Sequence, residues 1–95
     1  SLMDALGKMT IMPARRLETA VPQMRTKGRI RVGADADITI FDSNTVLDRA
    51  TFAEPAQASR GITHVIVGGT LIVRDTEFVE DVFPGRAIRR SIQQR

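Results

Sequence analysis

The sequence predicts a mainly β fold, a small β-sandwich portion with two short N-terminal helices. Residues 27–42 contain two short runs of alternating apolar and polar side chains around a Gly/Ala/Asp link, as in a hairpin with one face on a core. Residues 62–82 contain further apolar runs around Gly68-Gly69, a pair typical of a tight hairpin turn. Before residue 18, apolar side chains recur instead at the spacing of a helix.

The first helix is predicted for residues 2–9. Ser1 is suited to cap its N-terminus, and Asp4 lies where a carboxylate interacts favourably with the helix dipole. The apolar residues at helical spacing are Leu2, Met3, Leu6 and Met9. An isolated helix of this length is marginal in water, so we expect it to lie on another surface.

A second short helix is predicted to begin at Thr10 or Met12. Pro13 then falls in the first turn, where its missing N–H costs little. We expect Ala14 and Leu17 to face inward. The outward face is formed by charged residues: Arg15, Arg16 and Glu18.

Two stretches lack a steady hydrophobic period and are predicted to connect the ordered elements. Residues 20–27 contain Pro22 and are expected to form a linker between the helices and the β segment. Residues 46–60 follow a turn at 43–45 and are predicted to be a surface loop with one helical turn near Thr51. A loop of that length commonly exists to contact something.

The first hairpin is predicted to pair a strand containing Ile30 and Val32 with a strand containing Ile38 and Ile40. Gly33 gives the link between them its backbone freedom. Two aspartates are expected to bond backbone N–H groups of the turn: Asp35 and Asp37.

The second hairpin is predicted to turn at residues 68–69. This turn sets four cross-strand pairs: Val67 with Thr70, Ile66 with Leu71, Val65 with Ile72, and His64 with Val73. Both faces of the resulting sheet are largely apolar, so both need a cover, either a second sheet or a larger body. A third strand at residues 77–79 follows a turn at 75–76, and residues 84–85 end the meander.

These elements give four predicted segments: short helices in residues 1–19, a linker in 20–27, a β-sandwich segment in 28–85 and a basic C-terminal tail in 86–95. We expect a frayed helix over residues 87–94. The 95 residues suffice for one domain, and a chain of this size buries only about 60–65% of its unfolded surface. Because the chain begins with Ser1 rather than methionine, we expect either a processed product or an excised piece of a longer protein.

The composition disfavours several classes of protein. Cysteine is absent, which excludes a disulfide framework and a thiolate metal site and favours a cytoplasmic location. No apolar run is long enough to cross a bilayer. The formal charge is +3, but Trp and Tyr are absent and the arginines are scattered, so we expect neither nucleic acid nor a membrane as partner.

No residue of this chain is predicted to be catalytic, to bind a cofactor or to hold a metal. His64 is the only histidine, and within an apolar strand it is expected to be structural. Asp35 and Asp37 lack the further oxygen ligands of a calcium loop and are predicted to cap turns. Glu80 and Asp81 are expected to be solvated, and the Gly-Gly pair precedes no helix start that would cradle a phosphate.

Several motifs resemble the C-terminal end of metal-dependent amidohydrolases. They are Lys27-Gly28-Arg29-Ile30-x-x-Gly33-Ala34-Asp35-Ala36-Asp37-Ile38-x-x-Phe41-Asp42, Gly61-Ile62-x-x-Val65-x-Val67-x-Gly69, Pro84-Gly85-Arg86 and Thr10-x-x-Pro13-Ala14-x-x-Leu17. Within the family, residues 45–52 (TVLDRATF) with Pro55 downstream are most similar to the N-acyl-D-amino-acid deacylases, or D-aminoacylases. The chain departs from the family pattern at Gly68, where Asn is usual, at Thr76, where Gly is usual, and in a longer stretch at 20–26.

This resemblance implies a larger enzyme. Family members carry the metal site on a (β/α)8 barrel, and a composite β-sandwich is built from segments before and after that barrel. One or two divalent metals, commonly zinc, activate a water that attacks the amide carbonyl. A barrel takes about 250 residues, so this chain does not contain it. The helices of residues 1–19 would then be the last helices of the barrel.

The resulting hypothesis is that the chain is the C-terminal structural segment of an amidohydrolase, a hydrolase of non-peptide C–N bonds. The chain alone is expected to be inactive, whereas its parent protein is an enzyme. Its expected partners are its own missing barrel and, in isolation, further copies that cover the methionine-rich face of residues 2–17. The alternative is a free-standing β binding module for an acidic partner such as nucleic acid.

Overall fold

The computed structural model describes residues 1–90 of the 95-residue chain. The chain divides into two compact units. The first, which we call the helical unit, comprises Ser1–Ala36 together with the chain from Gly85 onward. The second, which we call the sheet unit, comprises Asp37–Pro84.

Two α-helices open the helical unit: α1 over Leu2–Met9 and α2 over Ile11–Leu17. Ser1 caps α1 reciprocally, because its Oγ accepts a hydrogen bond from the Asp4 N–H at 3.2 Å and its amino group donates to the Asp4 carboxylate at 3.5 Å. Both predicted helices, and the capping role of Ser1, are confirmed.

The stretch predicted to be a linker contains a 3-10 helix over Pro22–Thr26. Pro22 lies at the start of this helix, where its fixed φ is compatible with a helical turn and its missing N–H is not needed. The predicted linker at residues 20–27 thus contains one short 3-10 helix that Pro22 begins.

The packed face of α2 is centred on Ala14, whose exposed fraction is 1%. Leu17, predicted to face inward beside it, is 47% exposed, and Glu18, predicted to face outward, is half-buried beside Arg29. A helix of seven residues has only about two turns and so few inward positions, of which Ala14 is the buried one. Other large apolar side chains of the two helices are exposed: Leu2, Met3, Met9 and Met12.

The first strand of the predicted opening hairpin does not form. Ile30 and Val32 are 87% and 103% exposed, so their alternation with arginine does not place them on a core within the described residues. The chain turns there instead, and the Arg31 carbonyl accepts a hydrogen bond from the Ala34 N–H at 3.1 Å.

Competition from the helical unit explains the missing strand. The Asp35 N–H donates to the Thr26 carbonyl at 3.0 Å, and the Thr26 hydroxyl donates to the Asp35 carboxylate at 3.0 Å. These bonds hold the end of the 28–36 segment beside the 3-10 helix, so the segment belongs to the helical unit. The β segment predicted from residue 28 begins as a strand only at Ile38.

The sheet unit contains one four-stranded antiparallel sheet with the strands in chain order. They are β1 (Ile38–Phe41), β2 (Ile62–Val67), β3 (Thr70–Arg74) and β4 (Glu77–Phe78). This sheet and the short N-terminal helices confirm the predicted mainly β class. Within the described residues the sheet is a single layer, so the predicted sandwich needs a second layer from elsewhere.

The β2–β3 hairpin follows the predicted register only near its turn. The predicted pairs of Val67 with Thr70 and Ile66 with Leu71 are confirmed. Val65 then pairs with Val73, so its predicted pairing with Ile72, and that of His64 with Val73, are wrong. The reason is a β-bulge that leaves Ile72 as an extra residue on β3, where its carbonyl accepts the Val79 N–H at 2.9 Å.

Main-chain hydrogen bonds close both ends of the loop between β1 and β2. The Asp42 N–H donates to the Gly61 carbonyl at 2.9 Å, and Leu47 and Arg60 exchange two bonds of 2.9 Å each. The predicted turn at residues 43–45 is confirmed, since the Thr45 N–H donates to the Asp42 carbonyl at 3.1 Å.

The helical turn predicted near Thr51 is absent. Thr51 instead closes a compact turn, because its hydroxyl accepts the Glu54 N–H at 2.9 Å and its own N–H donates to the Glu54 carbonyl at 3.1 Å. The Thr51 hydroxyl here bonds the Glu54 N–H, which in a helical turn would bond a backbone carbonyl instead. Phe52, at the tip, is fully exposed.

Burial in the sheet unit is partial throughout. Every residue of β2 is half-buried, while Ile40 and Phe78 are 48% and 73% exposed. Ala14 is the one apolar residue of the described chain that is buried. Both faces of the sheet are therefore apolar and incompletely covered by the described residues.

The basic tail has no regular secondary structure over residues 86–90. The Arg89 N–H donates to the side-chain carbonyl of Gln23 at 3.2 Å. The predicted frayed helix is absent from residues 87–90, and the rest of that prediction, residues 91–94, lies outside the described residues.

Thr76 carries backbone strain that glycine would remove. Its φ is 71°, in the left-handed region, which costs a residue with a β-carbon about 1–2 kcal/mol. We expect Thr76→Gly to raise the free energy of unfolding by about 1 kcal/mol, because the relieved strain exceeds the entropy that glycine adds to the unfolded chain. Urea denaturation followed by circular dichroism measures the change.

Thr45→Gly is the matched control, because Thr45 also lies in a turn but without positive φ. It is expected to lower the free energy of unfolding by about 0.5–1 kcal/mol. Equal losses in the two variants would contradict the assignment of strain to Thr76.

Candidate functional site

His64 lies on β2, where it pairs with Ile40 across the β1–β2 ladder. Its Nε2 is 3.5 Å from Oδ1 of Asp75, and the histidine and aspartate side chains are 33% and 84% exposed. Asp75 belongs to the turn between β3 and β4, so this contact links two neighbouring parts of one meander. A single imidazole beside a solvated carboxylate provides neither a metal-ligand set nor a nucleophile with its base.

Asp35 lies in the helical unit. Its carboxylate is 2.9 Å from the Lys27 ammonium and accepts a hydrogen bond from the Thr26 hydroxyl at 3.0 Å. The Asp35 N–H also bonds the Thr26 carbonyl, so side chain and main chain both hold the segment to the end of the 3-10 helix. Its contacts connect the segment to this helix instead of capping a hairpin between two strands.

Asp37, two residues after Asp35 in the chain, lies in the sheet unit. Its Oδ1 accepts a hydrogen bond from the Gly68 N–H at 2.8 Å. Asp37 therefore caps a turn, as predicted, but the turn is the β2–β3 hairpin, 31 residues away in sequence. This bond also occupies an N–H that a phosphate cradle at the Gly-Gly pair would need.

Glu80 and Asp81 follow β4 and are both exposed. Asp81 has a φ of 56°, a left-handed conformation that aspartate tolerates in turns. Among the described residues, neither carboxylate forms an ion pair or side-chain hydrogen bond. Glu80 and Asp81 therefore follow the last strand of the meander, and no described neighbour prepares either carboxylate for acid–base catalysis.

The sequence analysis missed the role of Arg29, whose side chain is only 15% exposed. Its Nε donates to the Lys27 carbonyl at 2.8 Å and its Nη2 to the Met24 carbonyl at 3.3 Å. The same Nη2 lies 3.7 Å from a Glu18 carboxylate oxygen. Arg29 thus satisfies carbonyls at the end of the 3-10 helix, a role concealed by the strand-like alternation around it.

The candidate residues take part in separate local contacts. Asp35 belongs to the helical unit, whereas within the sheet unit Asp37 accepts the Gly68 N–H and His64 lies beside Asp75. Within residues 1–90, no group of three or more His, Cys, Asp or Glu side chains is arranged to hold a metal ion. These contacts stabilise turns and fix the position of the backbone.

The helices of the described chain are short. None of them, over residues 1–90, combines the length and the apolar character that crossing a bilayer requires.

Comparison with known proteins connects these elements to larger enzymes. Residues 1–73 match the profile of a family described as the amidohydrolase family. The chain is 42% identical to an N-acyl-D-glutamate deacylase of Alcaligenes xylosoxydans xylosoxydans over 95% of this chain and 17% of that protein. It is 33% identical to a D-aminoacylase of the same organism, again over 95% of this chain and 17% of that protein.

A third relative from that organism is an N-acyl-D-aspartate deacylase, 41% identical over 73% of this chain and 13% of that protein. The chain thus spans at most 17% of the length of these three relatives. No solved structure matches the chain significantly.

Proposed function

Because this chain belongs to the amidohydrolase family, we propose that it is the C-terminal structural segment of a longer enzyme that hydrolyses the amide bond of N-acyl-D-amino acids. The family resemblance predicted from the sequence motifs is confirmed by the match over residues 1–73. The observation that carries the proposal is the contrast in coverage, 95% of this chain but 17% of the two deacylases it matches over that length.

The exposed apolar surface supports a structural role. The four-stranded sheet is apolar on both faces and half-buried, and α1 and α2 leave large apolar side chains exposed, including Leu2, Met9 and Met12. Surfaces of this kind are stable when another body covers them. In the proposed enzyme that body is the barrel of the same polypeptide.

The described residues do not fit a divalent metal site. His64 has one carboxylate neighbour at 3.5 Å, and within residues 1–90 no larger set of ligand side chains surrounds it. We propose that the divalent metal of the parent enzyme, zinc in the first case to test, is held by residues outside this chain. When bound there, it supplies the activation of water for attack on the amide carbonyl. A cytoplasmic location is part of the same proposal.

The first test is an activity and metal measurement on the 95-residue chain. N-acetyl-D-glutamate is the substrate to use, since the 42% identical relative is named for N-acyl-D-glutamate. We expect no turnover with or without added zinc, and no stoichiometric metal after dialysis. Turnover by the purified chain with bound zinc would overturn the proposal.

The second test is a chimera. The corresponding segment of the Alcaligenes N-acyl-D-glutamate deacylase is replaced by this chain, and the same segment is deleted in a control. We expect the chimera to fold and hydrolyse N-acetyl-D-glutamate, and the deletion variant to lose both properties. A chimera no more stable or active than the deletion variant would contradict a scaffold role.

A further inference from the structure

Charge is divided unequally between the two units. The described residues of the helical unit carry ten basic side chains (Lys8, Arg15, Arg16, Arg25, Lys27, Arg29, Arg31, Arg86, Arg89 and Arg90) and three acidic ones (Asp4, Glu18 and Asp35). The sheet unit carries three basic side chains (Arg49, Arg60 and Arg74) and eight acidic ones (Asp37, Asp42, Asp48, Glu54, Asp75, Glu77, Glu80 and Asp81). Their formal charges are +7 and −5, which the small net charge of the whole chain conceals.

The excess charge of each unit is exposed. In the helical unit, Glu18 and Asp35 already neutralise Arg29 and Lys27. The eight other basic side chains are exposed, and none of them forms an ion pair among the described residues. In the sheet unit, the acidic side chains are likewise exposed. Each unit therefore presents a net excess of one sign of charge to solvent, which raises the local concentration of an oppositely charged partner.

We propose that the partner of the basic helical unit is the acidic sheet unit of a second copy of this chain. The two charges are opposite and similar in size, and both surfaces occur at equal concentration in any solution of the protein. The resulting contact is heterologous, because the helical unit of one copy meets the sheet unit of the next. Two copies that form this contact twice close as a dimer, and copies that form it once extend into a chain, so in both cases the mean mass rises with protein concentration.

Nucleic acid fits the basic unit less well than a second copy does. Single strands are held by a basic surface interleaved with aromatic side chains on which bases stack. All four phenylalanines of the chain lie in the acidic sheet unit: Phe41, Phe52, Phe78 and Phe83. The basic unit consequently has no aromatic side chain, and the sheet unit would repel phosphates.

Ionic strength tests the electrostatic origin of this association. The Debye length falls from about 30 Å at 0.01 M salt to about 10 Å at 0.1 M, so attraction between exposed charges weakens steeply. We expect sedimentation velocity to show concentration-dependent association in about 20 mM sodium chloride. The dissociation constant should rise at least about tenfold by about 300 mM.

Two charge-reversal variants test which surfaces meet. Arg15→Glu with Arg16→Glu changes exposed residues of the helical unit, and Glu54→Lys with Glu80→Lys changes exposed residues of the sheet unit. The first variant lowers the formal charge of the helical unit from +7 to +3, and the second changes that of the sheet unit from −5 to −1. Each variant is therefore expected to associate at least about tenfold more weakly than the wild type in about 20 mM salt. An equimolar mixture should recover association as a 1:1 dimer, because only the contact between the two unaltered units keeps its full charge.

The outcomes distinguish charge-driven association from misfolding, from association through the methionine-rich face and from nucleic-acid binding. Circular dichroism first checks that both variants retain the wild-type spectrum, and recovery of association in the mixture excludes misfolding as the cause of its loss. A wild-type monomer at low salt would overturn the proposal. So would association that persists at high salt, as expected for the methionine-rich face, or preferential binding of a labelled single-stranded oligonucleotide over self-association.

Discussion

Replacing Gly61 with alanine is expected to lower the free energy of unfolding by about 3 kcal/mol or more. Gly61 has a φ of 83°, and a β-carbon there would lie 2.5 Å from the Val46 backbone nitrogen and 2.6 Å from the Val46 Cα. Backbone atoms cannot move aside as a flexible side chain can. The substitution therefore adds a steric conflict to the left-handed strain and separates the two ends of the β1–β2 loop.

Two measurements check the Gly61 prediction. Urea denaturation gives the change in the free energy of unfolding, and hydrogen exchange should show lost protection of the Leu47 and Arg60 amides, which pair beside Gly61. Gly85→Ala is the control, since Gly85 lacks positive φ and a β-carbon added there would have no atom within 4 Å. A Gly61→Ala variant within about 0.5 kcal/mol of the control would contradict the argument.

Replacing Gly28 with alanine is expected to have a comparable effect on the helical unit, about 3 kcal/mol. The added β-carbon would lie 2.5 Å from the Thr10 carbonyl oxygen and 3.1 Å from the Ala14 Cβ, at a φ of 69°. Thr10 joins α1 to α2, and Ala14 is the buried centre of α2. The substitution would push the chain away from this centre, and the helical signal at 222 nm should fall with the free energy of unfolding.

Gly33→Ala separates strain from steric conflict in the same unit. Gly33 also has a positive φ, of 87°, but no atom lies within 4 Å of its added β-carbon. We expect this variant to lose only the strain contribution, about 1 kcal/mol. Equal losses for Gly28→Ala and Gly33→Ala would show that close approach to Thr10 is unimportant.

Local signals predicted the elements that depend on near neighbours. Ser1 and Asp4 are three residues apart and cap α1 as expected, and the Gly68-Gly69 turn fixes the first two pairs of its hairpin. These features require only a few adjacent residues to adopt compatible conformations. The family motifs were recognised for a similar reason, because they are read directly from residue types at fixed spacings.

Predictions failed where a contact distant in sequence competed with a local pattern. The alternation at Ile30 and Val32 is that of a strand, yet Asp35 and Thr26 hold this segment to the helical unit. Similarly, alternation alone could not place the bulge at Ile72. A bulge depends on which backbone hydrogen bonds the neighbouring strands form, and here the Ile72 carbonyl accepts the Val79 N–H.

The sequence by itself determined the secondary structure that short-range hydrogen bonding favours, the absence of cysteine chemistry, and the motifs that identify the family. Only the tertiary structure decided that Asp37 caps a hairpin turn 31 residues away, that Arg29 is largely buried, and that opposite charges gather in two separate units. The physical reason is that residue spacing encodes local geometry, whereas the partner of a polar or charged group is chosen by how the folded chain brings distant segments together.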